Sequence, residues 1–140
     1  MKPIPYAAII VENSEGEILL LLRENKSAPI YPKHWTLIGG KVEPWETPEL
    51  AAQRQLEEET GLKTELSFWK QYEREHPLFM IDQHIFACKV KDSQGLLVLG
   101  RDAQFFKTSE VIHLKIGYGF KDLLQEYFAT AVNHLYVHHS

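Results

Sequence analysis

GKVEPWETPELAAQRQLEEETGL, from Gly40 to Leu62, carries the densest chemistry in this 140-residue chain. Residues 47–60 within it predict a helix. Thr47 supplies an N-cap, Pro48 suits the first helical turn, and Glu49 favours the positive end of the helix dipole. Gly61 stands where a left-handed C-terminal cap falls. A helix turns about 100° per residue, so Gln55, Glu58 and Glu59 share a face. Carboxylates crowded together repel unless a cation lies between them. Mg²⁺ suits that place, because it takes hard oxygen ligands and keeps waters or substrate phosphates in its shell. Ala51 and Ala52, one turn earlier, are small enough to let the helix press against a sheet. Arg54 precedes Glu58 by four residues, within reach of it or of a phosphate. Taken alone, the run Glu57-Glu58-Glu59 reads as a solvated charged face, the usual meaning of such a run.

Working outward, residues 5–11 and 17–23 predict strands, and Asn13-Ser14-Glu15-Gly16 supplies the turn that makes them a hairpin. Residues 24–33 predict a polar loop broken by Pro29 and Pro32. A short apolar piece, 35–38, follows and ends at Gly39-Gly40, two residues free to take positive φ. Downstream, 66–75 and 80–90 predict two strands around His76-Pro77, 92–95 a loop, and 103–107 a short strand. Phe120, Leu123, Leu124, Tyr127, Phe128, Ala131 and Leu135 recur at helical spacing, which predicts a long amphipathic C-terminal helix. With no internal repeat or linker, the reading is one mixed α/β domain over residues 1–140.

The bulk properties narrow the function classes. The length suffices for one domain with its own core. Hydrophobic residues at 44% and charged residues at 24% are ordinary for a globular chain, which argues against extended disorder. A formal charge of −4 argues against a general nucleic-acid binder, which needs a basic face to displace counterions. It leaves room for a small anionic substrate, whose phosphates a metal can neutralise. Cys88 is the single cysteine, so no intrachain disulfide forms, in keeping with a reducing compartment. The longest aliphatic run, 18–22, is too short to span a bilayer, and residues 1–6 lack the pattern of a signal peptide. The expectation is a soluble cytoplasmic protein with no membrane partner.

Residues 40–62 also resemble the box of the Nudix hydrolases (MutT-like), G-x5-E-x7-R-E-U-x-E-E-x-G-U, with U a bulky aliphatic residue. Gly40 is followed after five residues by Glu46 and after seven more by Arg54. Gln55, Leu56, Glu57, Glu58, Glu59, Thr60, Gly61 and Leu62 complete the pattern. Every fixed position matches but one, and so many matches at fixed spacing are improbable by chance. The resemblance implies an α/β/α sandwich with a mixed sheet, the box forming a loop–helix–loop. It implies cleavage of a pyrophosphate linkage in a nucleoside diphosphate derivative, with Mg²⁺ or Mn²⁺. Glu58 and Glu59 match the family's metal-binding carboxylates, the carbonyl of Gly39 a backbone ligand, and Arg54 with Glu46 a pair that braces loop and helix. Water would attack a phosphorus while metal neutralises the oxygens. Gln55 departs from the pattern. The family has glutamate there, as a metal ligand and in some members as the base. A glutamine oxygen can coordinate a metal, but it carries no charge and takes no proton at neutral pH. Glu57, about 150° away around the helix, is a poor substitute. Asp102 lies where some members place a further acid.

Tyr31, His34, Trp35 and Trp45 flank the glycines as candidates to stack on a planar group, with core packing the better reading of Trp35. Lys26, Lys33 and Lys41 are candidate phosphate contacts, although scattered lysines are common. Ile38 reads as an apolar strand end, Cys88 as a small buried hydrophobe, and His134, His138 and His139 as a frayed polar terminus. The C-terminal stripe reads as core or as a homodimer contact. Three classes follow: a pyrophosphohydrolase, a metal and nucleotide binder with weakened hydrolysis, and a structural protein with an acidic surface helix. The intact spacing of the box speaks against the third, and Gln55 is the feature favouring the second.

Overall fold

The structure is a computed structural model and describes residues 2–22, 33–91 and 103–139. Among these residues one seven-stranded sheet forms around β1 (Ile4–Glu12). On one side β1 meets β4 (Ile38–Lys41), antiparallel from Tyr6↔Lys41 to Ile9↔Ile38, and further along meets β2 (Ile18–Leu22) at Glu12↔Ile18. On its other side it runs parallel to β6 (Phe79–Lys89), from Ile4↔Ile81 to Glu12↔Lys89. β5 (Ser67–His76) pairs antiparallel with β6, while β3 (Trp35–Thr36) and β7 (Ala103–Phe106) both pair with β2. The three helices are α1 (Pro48–Thr60), the four-residue α2 (Thr108–Val111) and α3 (Phe120–His139).

Side-chain alternation along β1 builds the layers. Ala7, Ile9 and Val11 face one core with Ala51, Ala52 and Leu56 of α1. Ala8 and Ile10 face the other with Phe120, Leu123 and Leu124 of α3. The sheet is buried on both sides, which explains why β1 and β2 read as unbroken apolar runs. The first three residues of the C-terminal stripe are thus spent on the core. The described helices include none long and apolar enough to cross a membrane.

The predicted hairpin turn at 13–16 has a clear cause. Asn13, almost fully buried, accepts from the backbone N–H groups of Glu15 (3.0 Å) and Glu17 (2.9 Å), and Gly16 takes φ +77°. Two expectations need correction. Gly39 and Gly40 do not form a positive-φ turn; they sit within β4. The C-terminal helix runs through His139. The apolar piece 35–38 is divided between β3 and β4, and α2, too short to show periodicity, was not foreseen. The loop expected at 92–95 lies outside the described residues.

Candidate active site on the acidic helix

The ends of α1 follow its sequence signals. Thr47 is extended (φ −82°, ψ 162°) and its Oγ1 accepts from Leu50 N–H at 3.2 Å. Gly61 is left-handed and donates to the Glu57 carbonyl at 2.8 Å. Thr60 closes the last turn, donating to Leu56 O (2.7 Å) and accepting from Leu62 N–H (3.1 Å).

The loop before the helix is fastened by Glu46 and Arg54. Arg54 Nη2 donates to Glu46 Oε1 at 2.6 Å and Nε donates to Oε2 at 3.0 Å, a two-pronged pair. Glu43 N–H adds a bond to Glu46 Oε1 at 2.9 Å, and Arg54 Nη2 also reaches the Lys41 carbonyl at 3.3 Å. The Glu46 side chain is only 7% exposed. The Arg54 guanidinium first, then the Glu43 N–H, hold its carboxyl below the usual range, and Glu46 in return raises the Arg54 value. Arg54 also stands 3.5 Å from Glu58 Oε2 through Nη1, so one guanidinium links the loop to the acidic face.

Close approach, not turn freedom, accounts for the two glycines. A Cβ on Gly39 would stand 2.4 Å from the Ala7 carbonyl oxygen, in the backbone of the neighbouring strand. A Cβ on Gly40 would stand 2.3 Å from Gln55 Nε2 and 3.2 Å from Oε1. Gln55 therefore packs directly over Gly40, bringing the helix to the strand at the box. Glu58 is 58% exposed, Glu59 is half-buried, and Glu57 turns away to Lys63 at 3.5 Å. Among the described residues no three His, Cys, Asp or Glu side chains gather as a ready metal cluster.

The profile of the NUDIX domain matches residues 2–123 of this chain. The chain belongs to the Nudix family. It is 38% identical over 90 residues to a putative 8-oxo-dGTP diphosphatase of Bacillus subtilis, covering 64% of this chain and 56% of that protein. It is 30% identical over 103 residues to diphosphoinositol polyphosphate phosphohydrolase 3-alpha of Mus musculus, covering 70% of this chain and 59% of that one. The chain thus spans under two thirds of the length of these relatives. Among solved structures, the MutT protein from Methanosarcina mazei Go1 superposes with a TM-score of 0.80 at 22% identity, covering 93% and 96% of the two chains. The layered mixed sheet with its C-terminal helix is the Nudix fold.

Around the Nudix box, Trp45 is 79% exposed and Lys41 is exposed beside the helix. Tyr31, Lys26 and Asp102 lie outside the described residues. Lys33 is exposed with φ +60°, and His34 is half-buried. Trp35 packs edge-on against Phe106, centroids 4.8 Å apart, in the α3-side core, and Ile38 is fully buried. Burial pushes the Cys88 thiol up to about 11, against any role as a nucleophile. One pair escaped notice in the sequence. Asp82 and His84 are two residues apart on β6, hence on one face, with Oδ2 and Nε2 3.2 Å apart on the α1 side. Their spacing was the available signal, but only the parallel pairing with β1 brings them beside Ala7.

Proposed function

We propose that this chain hydrolyses a pyrophosphate linkage in a nucleoside diphosphate derivative or nucleotide, with Mg²⁺ or Mn²⁺ held by α1. The observation that carries this is the packing of Gln55 on Gly40 beside Glu58 and Glu59, with Arg54 braced by Glu46. The naming of two relatives as diphosphatase and phosphohydrolase supports the same class of reaction.

The donors suit a hard cation. Two carboxylates, the Gln55 amide oxygen and the Gly39 carbonyl offer oxygen only, and so small a set leaves positions for water and substrate phosphates. Bound there, the metal would neutralise phosphate oxygens. The chain's own residues do the rest. Glu58 and Glu59 supply negative charge, Arg54 fixes Glu58, and Glu46 fixes Arg54. Trp45, Lys41 and Tyr31 are the proposed substrate contacts. Gln55 takes no proton at neutral pH, so activating water falls to another acid, with Asp102 the proposed one.

A second reading rests on that same amide: a Nudix fold that binds metal and ligand with little turnover. A panel of diphosphate compounds with Mg²⁺ and Mn²⁺, scored by release of phosphate-containing product, tests both. Metal-dependent turnover abolished by Glu58→Gln supports the hydrolase. Metal-dependent binding without turnover supports the second reading, and neither activity across the panel would sink both.

A further inference from the structure

On the α1 side of the sheet, β5 and β6 set Gln71, Glu73, Asp82 and His84 in a square. Gln71 lies in register with His84 and Glu73 with Asp82, so all four share one face at cross-strand spacing. His84 is in register with Ala7, and Ala7 with Gly40. The square therefore sits two strands from the Nudix box, roughly 10 Å by strand spacing.

The head groups converge on Asp82. Its Oδ1 accepts from Gln71 Nε2 at 2.7 Å, and its Oδ2 stands 3.2 Å from His84 Nε2. That second separation is at the long end for a hydrogen bond. It is close to the edge of a zinc coordination tetrahedron, in which bonds of about 2.0–2.2 Å place neighbouring ligand atoms roughly 3.3–3.5 Å apart. The side chains of His84 and Asp82 are 17% and 23% exposed, so the pair is sheltered but open to an ion from solvent. Gln71 holds the carboxylate with Oδ2 toward the imidazole, the support that metal-binding carboxylates generally receive.

The charges also favour a cation. Glu73 and Asp82 stand directly opposite each other, and like charges so placed repel. Among the described residues no lysine or arginine forms an ion pair with either. As the side chains stand, only His84 and Asp82 meet, and the exposed Glu73 completes the set by turning toward Asp82. An imidazole nitrogen among the donors suits zinc and its neighbours in the transition series, whereas Mg²⁺ takes oxygen.

We propose that Asp82, His84 and Glu73 form a second divalent-metal site, selective for Zn²⁺ or a similar transition ion over Mg²⁺, with water in the remaining position. Bound there, the ion clips β5, the last strand on that side of the sheet, to β6. The site shares no residue with the acidic face of α1 and stands independently of the hydrolase reading.

The test is a Zn²⁺ titration of the full chain with Mg²⁺ in large excess, followed by the NMR signals of the His84 ring and the Asp82 backbone amide. The chain carries His134→Gln, His138→Gln and His139→Gln, because histidines four apart on one helix can take up zinc. Both signals should move with Zn²⁺ and hold still when Mg²⁺ alone is added. Asp82→Asn, read at His84, and His84→Gln, read at Asp82, should each weaken zinc binding at least roughly tenfold, the least that losing even a supporting partner of a metal ligand usually costs. Zn²⁺ should raise Tm in the parent chain and not in Asp82→Asn. His84 signals unmoved by a several-fold molar excess of Zn²⁺, an equal response to Mg²⁺, or undiminished affinity in both variants would each overturn the proposal. The comparison of the two ions needs no change at the site, so a misfolded Asp82→Asn leaves the test intact. Failure of the hydrolase reading would show as absent turnover and leave the His84 response unchanged.

Discussion

The amide of Gln55 occupies the space that a β-carbon on Gly40 would need, 2.3 Å from that position. The contact joins the strand carrying the glycines to the helix carrying the acids. Gly40→Ala should push Gln55 aside at small cost to the fold, since the displaced atoms end a flexible side chain. We expect a loss of stability within about 1 kcal/mol. The larger effect should fall on the site, and isothermal titration with Mn²⁺ should show weakened binding. Unchanged metal affinity would mean that Gln55 does not help to hold the ion.

Gly39→Ala should behave oppositely. Its Cβ would meet the Ala7 carbonyl at 2.4 Å, which is strand backbone and cannot swing away. We expect a destabilisation of about 1–3 kcal/mol, the usual range for overpacking. Urea unfolding should show a lower midpoint at unchanged slope. A midpoint equal to wild type would show that β1 and β4 separate without penalty.

These glycines show where the sequence stopped being legible. A Gly-Gly pair fits either a turn or a close approach, and only the partner strand distinguishes them. The partner, β1, is about thirty residues earlier in the chain. The helix was legible end to end because its signals are local: Thr47, Pro48 and Gly61 each act within one turn. The spacing of Glu46 and Arg54 likewise foretold the pair that fastens the loop to the helix, and Gln55 is the residue of that face that meets Gly40. The square around His84 was invisible, because the register that sets Gln71 and Glu73 beside it follows only from the pairing of β5 with β6.

The Glu46–Arg54 pair should give acid lability of known sign. Arg54, then the Glu43 N–H, depress the Glu46 carboxyl in the folded chain below its ordinary value of 4.5. A depressed folded value contributes stability that is present above the unfolded value and lost as pH falls through the folded one. Glu46→Gln should therefore lower Tm by several degrees at pH 7, and the gap from wild type should close below pH 4.5. A gap that persists unchanged in acid would assign the effect to packing rather than charge.

Metal should stabilise the protein, because a ligand that binds only the folded chain shifts the unfolding equilibrium. At a hundredfold excess over Kd, Mg²⁺ or Mn²⁺ should add about 2.7 kcal/mol. Glu59→Gln should lose most of that increment while melting close to wild type in EDTA. Equal metal responses in wild type and variant would remove Glu59 from the proposed ligand set.

The decisive substitution is Gln55→Glu. It places a third carboxylate beside Glu58 and Glu59, with the side chain still packed over Gly40. Mutual repulsion should lower stability slightly without metal, by roughly the few tenths of a kcal/mol seen for like charges at helical spacing. A bound cation should cancel that loss. If the absent carboxylate limits the reaction, Gln55→Glu should strengthen metal binding and raise turnover, by up to about 10²-fold if it acts as general base. If Asp102 already activates water, Gln55→Glu should change kcat little and Asp102→Asn should abolish it. The two variants, assayed side by side on one turned-over diphosphate, separate these accounts through kcat. The proposed hydrolase fails if both leave the rate untouched and Glu58→Gln is equally silent. Ligand binding over Gly40 and α1, with the amide of Gln55 as a neutral metal contact, is then the better account of the site.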